Sequence, residues 1–204
     1  MKINKRILPL SAIILAVAEA GLTLFSWVAT SIEPSAELRS VLSGEGLRWF
    51  FGSFVSNLLS PLSVWLVLIF MAYGSYIYSG LRHTVSALMH GERLSYRHRH
   101  ALYTVAVLAC VIILVIILLA FVPHAVLLGV SGSLFPSTFS AALVPVVSFS
   151  LTVLSVVYGM ASGRLSSLHN IYRSLYAGIY ILAPFVPVYI LAVQLYYTVL
   201  FVFF

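Results

Sequence analysis

The chain of 204 residues is 62% hydrophobic and 8% charged, against roughly a quarter charged in an ordinary soluble domain, so lipid is the solvent for most of its surface. Its formal charge of +6 does not point to nucleic acid, because the lysines and arginines fall in short clusters between apolar runs, the positive-inside pattern. The single cysteine, Cys110, lies inside an apolar run, which excludes an internal disulfide and argues against a metal centre.

Lys2, Lys5 and Arg6 precede an apolar run over 7–30. The alanines around Ala16-Val17-Ala18 and Ala18-Glu19-Ala20 have the look of a signal-peptide cleavage site. The run continues past them through Leu22, Leu24, Phe25 and Val28, however. At ~1.5 Å per residue it is long enough to cross ~30 Å of hydrocarbon, and we expect an uncleaved first span. Ala12, Ala16 and Ala20 recur every four residues, a small-residue stripe on which another helix can pack. Glu19 falls near mid-membrane close to that stripe, where an ionised side chain is costly. Both a protonated acid bonded to a neighbouring helix and a proton-coupling carboxyl fit such a position.

Pro34, Glu33, Glu37 and the apolar Leu38, Val41 and Leu42 predict a short amphipathic surface helix over 31–42, ended by Gly44 and Gly46. The next apolar stretch, Leu47 to Leu59, would be only ~20 Å long as a helix. The region 34–60 is therefore expected to be interfacial or re-entrant. Ser53, Ser56, Asn57 and Ser60 gather at its far end, where a re-entrant tip needs polar partners for freed backbone groups.

A second span is predicted over 61–81, opened by Pro61. The basic loop 82–100 follows, and its Arg82, Arg93, Arg97 and Arg99 are candidates for docking anionic lipid heads or a protein partner. Its histidines show no His-x-x-x-His spacing that would favour a metal. A third span is expected over 101–122, a charge-free interfacial or partly inserted link over 123–138, and a fourth span over 139–163. In the fourth, Ser148, Thr152 and Ser155 recur at helical spacing, as a packing face or a substrate path. Gly159 and Gly163 form a GxxxG pair expected to pack helices. A second inner loop over 164–173 leads to the last run, 174–204, in which Pro184 and Pro187 predict a kink or a break.

With the N-terminus cytoplasmic, of the eleven lysines and arginines only Arg39 and Arg48 fall outside. The expectation is thus one integral membrane domain over 1–204: an all-α, polytopic transmembrane helix bundle of about five spans with short interfacial or re-entrant helices. A bacterial inner membrane is the expected location. The chain has no aspartate and no hydrolase, metalloprotease or nucleotide motif, so neither enzymatic chemistry nor a cofactor is expected.

From Ser43-Gly44-Glu45-Gly46-Leu47-Arg48-Trp49, through Asn57, Pro61-Leu62, Leu66-Val67 and Gly74 to Ser79-Gly80-Leu81, the sequence resembles the opening of the first repeat of the aminobenzoyl-glutamate transporter (AbgT) family. The likeness covers about residues 1–85. It implies a proton- or sodium-coupled secondary carrier, homodimeric, for small organic anions. Such carriers contain two inverted halves, and this chain has room for one. Nothing after Leu81 matches the family's Asn/Ser/Asp-rich substrate motif.

Two functions are therefore in view. In the first, an oligomeric carrier uses Asn57, Ser60, Ser148, Thr152 and Ser155 towards substrate and Glu19 for protons. In the second, a non-transporting membrane subunit uses the same residues as packing seams and its arginines to dock a partner.

Overall fold

The structure, a computed structural model, describes residues 6–33, 38–121 and 138–204. Eight helices occupy these residues: α1 Ile7–Ile32, α2 Gly44–Leu58, α3 Pro61–Tyr78, α4 Leu81–Met89, α5 Tyr96–Phe121, α6 Thr138–Ala161, α7 Leu168–Leu182 and α8 Val186–Phe203. A 3-10 turn over Ala183–Phe185 joins the last two, and no strand occurs among the described residues. Five helical stretches are long and apolar enough to cross a membrane: Ile7–Ile32, Gly44–Tyr78, Tyr96–Leu119, Ala142–Ala161 and Leu168–Phe203. The chain is all-α and polytopic. Apolar side chains such as Val17 (65% exposed) and Phe149 (70%) stand open on single helices, a surface that only lipid or another apolar chain can cover.

Local sequence explains most helix ends. Ser43 is the N-cap of α2, its hydroxyl accepting from the Gly46 N–H at 3.0 Å, with Glu45 in the first turn. The expected helix over 31–42 is therefore corrected: Ser31 and Ile32 still belong to α1, residues 38–40 have no regular structure, and Gly44 begins a helix rather than ending one. Residues 34–37 of that expectation, and 123–137 of the expected link, lie outside the described residues. The reason is the Ser43 hydroxyl, which satisfies a first-turn N–H and so favours a start at that point.

Leu59 and Ser60 interrupt the helix before Pro61 opens α3 at a position where a missing N–H costs nothing. The predicted break near Pro184 and Pro187 is present as well, Pro184 in the 3-10 turn and Pro187 in the first turn of α8. The basic stretch 82–100 is not a plain loop, since α4 and the first turn of α5 occupy most of it. Charged residues tolerate a helix that runs beyond the hydrocarbon. For the same reason α7 starts at Leu168, inside the stretch 164–173.

The chain divides into two compact units, one of residues 1–64 and 183–204, the other of residues 65–182. In the first, α8 packs along α1, and the buried Val41, Phe201 and Val202 form its core with Leu22, Leu38, Trp49 and Phe50 around them. Trp49 lies flat on Phe201, ring centres 4.3 Å apart. The segment before α2 is tied in by Arg39 N–H donating to the Val202 carbonyl at 3.1 Å and Val41 N–H donating to the Ser26 hydroxyl at 3.2 Å.

In the second unit α5 packs on α6, and Leu81, Ala101, Val105 and Tyr158 form the core. Here α3 and α7 cross at Gly74 and Gly178, with backbone touching backbone: a Cβ on either glycine would fall on main-chain atoms of the other helix. The Ser75 hydroxyl donates to the Ser174 carbonyl at 3.0 Å beside this crossing. Small residues let helices approach in lipid, where dispersion and polar contacts replace the hydrophobic drive.

Candidate functional site

The buried face of α8 runs Gln194, Thr198, Phe201 and Val202, spacings that place these side chains on one side of a helix. The α1 side chains that face inward include Leu15, Glu19, Leu22 and Ser26. Where the two faces meet, the Thr198 hydroxyl donates to Glu19 Oε1 at 2.6 Å. Glu19 Oε2 is buried with no hydrogen-bond partner. One turn before Thr198, the side chain of Gln194 is 4% exposed, and neither its oxygen nor its nitrogen has a partner. This is a polar seam at half-depth in two apolar helices, and only one of its bonds is made.

A hollow of about 520 Å³ opens beside it, lined by Ala16, Glu19, Ala20, Thr23, Phe50 and Phe51 among others. Glu19 is the one charged residue of the lining and Thr23 the one other polar side chain. Ala16 and Ala20 are exposed on this hollow and do not form the face that meets α8, while Ala12 is half-buried. The helical step accounts for this: Leu15, Glu19, Leu22 and Ser26 fall on a line rotated from the alanine stripe by about a quarter turn.

At the break between α2 and α3, the Ser60 hydroxyl and the Tyr189 hydroxyl of α8 lie 3.2 Å apart. Tyr189 also donates to the Leu58 carbonyl at 3.4 Å, which satisfies a group that the interrupted helix leaves free. Asn57, 8% exposed, sits just before the break, and its Nδ2 has no partner. Thus Glu19, Asn57 and Ser60 all belong to the first unit.

Ser148, Thr152 and Ser155 belong to the second unit. Ser148 and Ser155 are buried, and the Thr152 hydroxyl donates to the Ser148 carbonyl at 2.8 Å. The Ser155 hydroxyl has no partner. Gly159 lies on α6 against the Leu165 side chain. Gly163 is corrected from its expected packing role: α6 ends at Ala161, and Gly163 has φ +74° in the turn that follows, with the Arg97 guanidinium against it. It ends a helix in the left-handed conformation instead of pairing two helices.

Arg97 remains exposed apart from that contact. Arg99 lies over Tyr103, its guanidinium 5.9 Å from the ring centre and its Nη2 donating to the hydroxyl at 3.4 Å. Arg82 and Arg93 are exposed. Nearby, the buried Tyr158 hydroxyl bonds both Thr84 and His98, the latter through Nδ1 at 2.9 Å. Among the described residues no group of three or more His, Cys, Asp or Glu side chains could hold a metal.

Thr198, Tyr189, Gly178 and Tyr158 were not expected to matter. Each bonds or touches a residue far away in sequence, and a hydroxyl or a glycine in an apolar helix carries no local mark of its partner. The Gln194–Thr198 spacing was the one available signal, two polar side chains a turn apart in an otherwise apolar run. No family model, curated protein or solved structure matches the chain.

Proposed function

We propose that this chain is an AbgT-like carrier half that works as an oligomer and moves a small organic anion together with protons, Glu19 carrying the proton. The observation that carries this reading is the state of the Glu19 seam. One carboxyl oxygen is held by Thr198, the other has no partner, and the adjacent Gln194 amide is unsatisfied. An ionisable group kept inside a membrane span is expensive and by default functional. A buried unsatisfied amide costs on the order of 1–3 kcal/mol, which packing alone does not justify. Asn57 at the α2–α3 break supplies a further unpaired donor in the same unit. A broken helix with free polar groups at membrane depth is how many secondary carriers build a site. Because one repeat cannot rock against itself, a second copy is part of the proposal. The inner-membrane location and the cytoplasmic N-terminus follow from the basic clusters and belong to it too.

The test is uptake of an aminobenzoyl-glutamate-like or sulfonamide anion into proteoliposomes under an imposed proton gradient. The native chain is expected to exceed empty vesicles. Glu19→Gln should lose gradient dependence, and Asn57→Ala should lower the rate. Uptake that both substitutions leave unchanged would remove these residues from the mechanism.

One observation favours the second reading, a non-transporting subunit of a larger membrane assembly. The Ser148–Ser155 face is packed inside its unit, with the Thr152 hydroxyl spent on backbone, as in a helix-packing seam. A partner that co-purifies in mild detergent, with no uptake of any probe, would establish that reading.

A further inference from the structure

The four arginines of the basic segment do not share one fate, and two of them line a groove of their own. Arg93 and Arg99 stand with Glu92, Leu88, Leu102 and Tyr103 around a hollow of about 620 Å³ in the second unit, which Leu94 and Ala106 complete. We propose that this groove binds one anionic phospholipid, the phosphodiester at the arginines and an acyl chain along Leu102 and Ala106.

Three features support this occupant. The first is direction. From Arg99 to Ala106 the groove follows α5 for seven residues, ~10 Å along the axis. Its charged end lies where α5 is basic, and its apolar end where α5 enters the hydrocarbon. A diacyl lipid has the same polarity along its length. The second is charge. Two arginines against the single Glu92 leave a net charge of +1 in the lining, which complements a monoanionic phosphodiester. Glu92 then faces the polar head, where it can accept from glycerol hydroxyls. The third is preorganisation. Tyr103 holds the Arg99 guanidinium by the hydroxyl contact and by its ring face, so the fork that would grip phosphate oxygens is already placed. Arg97 does not line the groove; its guanidinium lies against Gly163. The groove would hold its lipid whether or not the chain transports anything.

The full chain, purified in a neutral detergent, is titrated with phosphatidylglycerol and with phosphatidylcholine and read by native mass spectrometry. Phosphatidylglycerol is expected to be retained at least tenfold better. Replacing both arginines, R93Q with R99Q, should abolish the difference, each contributing roughly tenfold through charge-assisted bonds. R82Q removes an exposed arginine of the same segment outside the groove and should leave retention unchanged. Equal losses for R82Q and for the groove pair would mean diffuse surface electrostatics and would overturn the site. Ala106→Trp blocks the acyl lane without touching charge and should weaken phosphatidylglycerol by about tenfold, roughly the value of a lost methylene or two. Full competition by the soluble headgroup glycerophosphoglycerol would show a phosphate site without a lipid lane, and the proposal would fall.

Discussion

Gly74 of α3 and Gly178 of α7 meet with no side chain between them, so the two backbones are in van der Waals contact. The Ser75 hydroxyl bonds the Ser174 carbonyl one turn away, at 3.0 Å. Substituting Gly178 with alanine puts a methyl on the Phe70 carbonyl, and neither main chain can give way. Gly178→Ala is expected to cost about 1–3 kcal/mol, the usual penalty of overpacking, and Gly178→Leu to prevent assembly of this unit. Thermal unfolding in detergent, with far-UV dichroism to count helices, checks both.

Gln194 invites the opposite experiment. Its amide is buried with both polar atoms unpaired, so Gln194→Leu removes a desolvation cost while keeping the volume. The variant is expected to unfold later than the native chain, by about 1–3 kcal/mol. It should also lose uptake if the seam is a carrier site. A less stable Gln194→Leu variant would show that the amide has a structural partner after all.

Thr198→Val tests the other member of the seam. It leaves the Glu19 carboxyl with no partner on either oxygen and should destabilise by about 1–3 kcal/mol. Combining it with Glu19→Gln should cost less than the sum of the two single changes, because the pair acts as a unit. Melting temperatures of the four chains measure the coupling directly.

In the second unit the Tyr158 hydroxyl is the shared partner of Thr84 and His98. Tyr158→Phe strands the Thr84 hydroxyl, itself buried, and is expected to cost about 1–3 kcal/mol. Thr84→Val in the same chain should recover part of that loss. His98 is exposed and can turn to water, so His98→Gln should matter less.

Much of the fold was legible because hydropathy and proline positions act locally. The spans, the break before Pro61 and the break at Pro184 all follow from which residues lipid accepts and which backbone donors are missing. The start of α2 was not legible, because a helix-capping hydroxyl next to two glycines has the same local pattern as a turn. Glu19 could be picked out, since an acid in an apolar run is conspicuous by itself. Its partner could not, because Thr198 lies 179 residues away and a threonine in a transmembrane helix ordinarily bonds its own backbone. The Gly159–Gly163 spacing misled for a related reason. Four residues apart means one face only while the helix lasts, and α6 ends before Gly163.

The separation of Glu19 from Thr198 also sets a timetable. α1 leaves the ribosome before α8, and the two bonded side chains are 179 positions apart. At ~5–20 residues per second, the carboxyl waits about 10–35 s before its hydroxyl partner has been made. During that interval α1 has no α8 to lie against, and the exposed hollow at Ala16 and Ala20 is open to any neighbouring helix. A nascent chain halted before Gln194 would therefore be the form most readily captured by insertion chaperones or cleared by membrane proteases, and completing α8 is what closes that window.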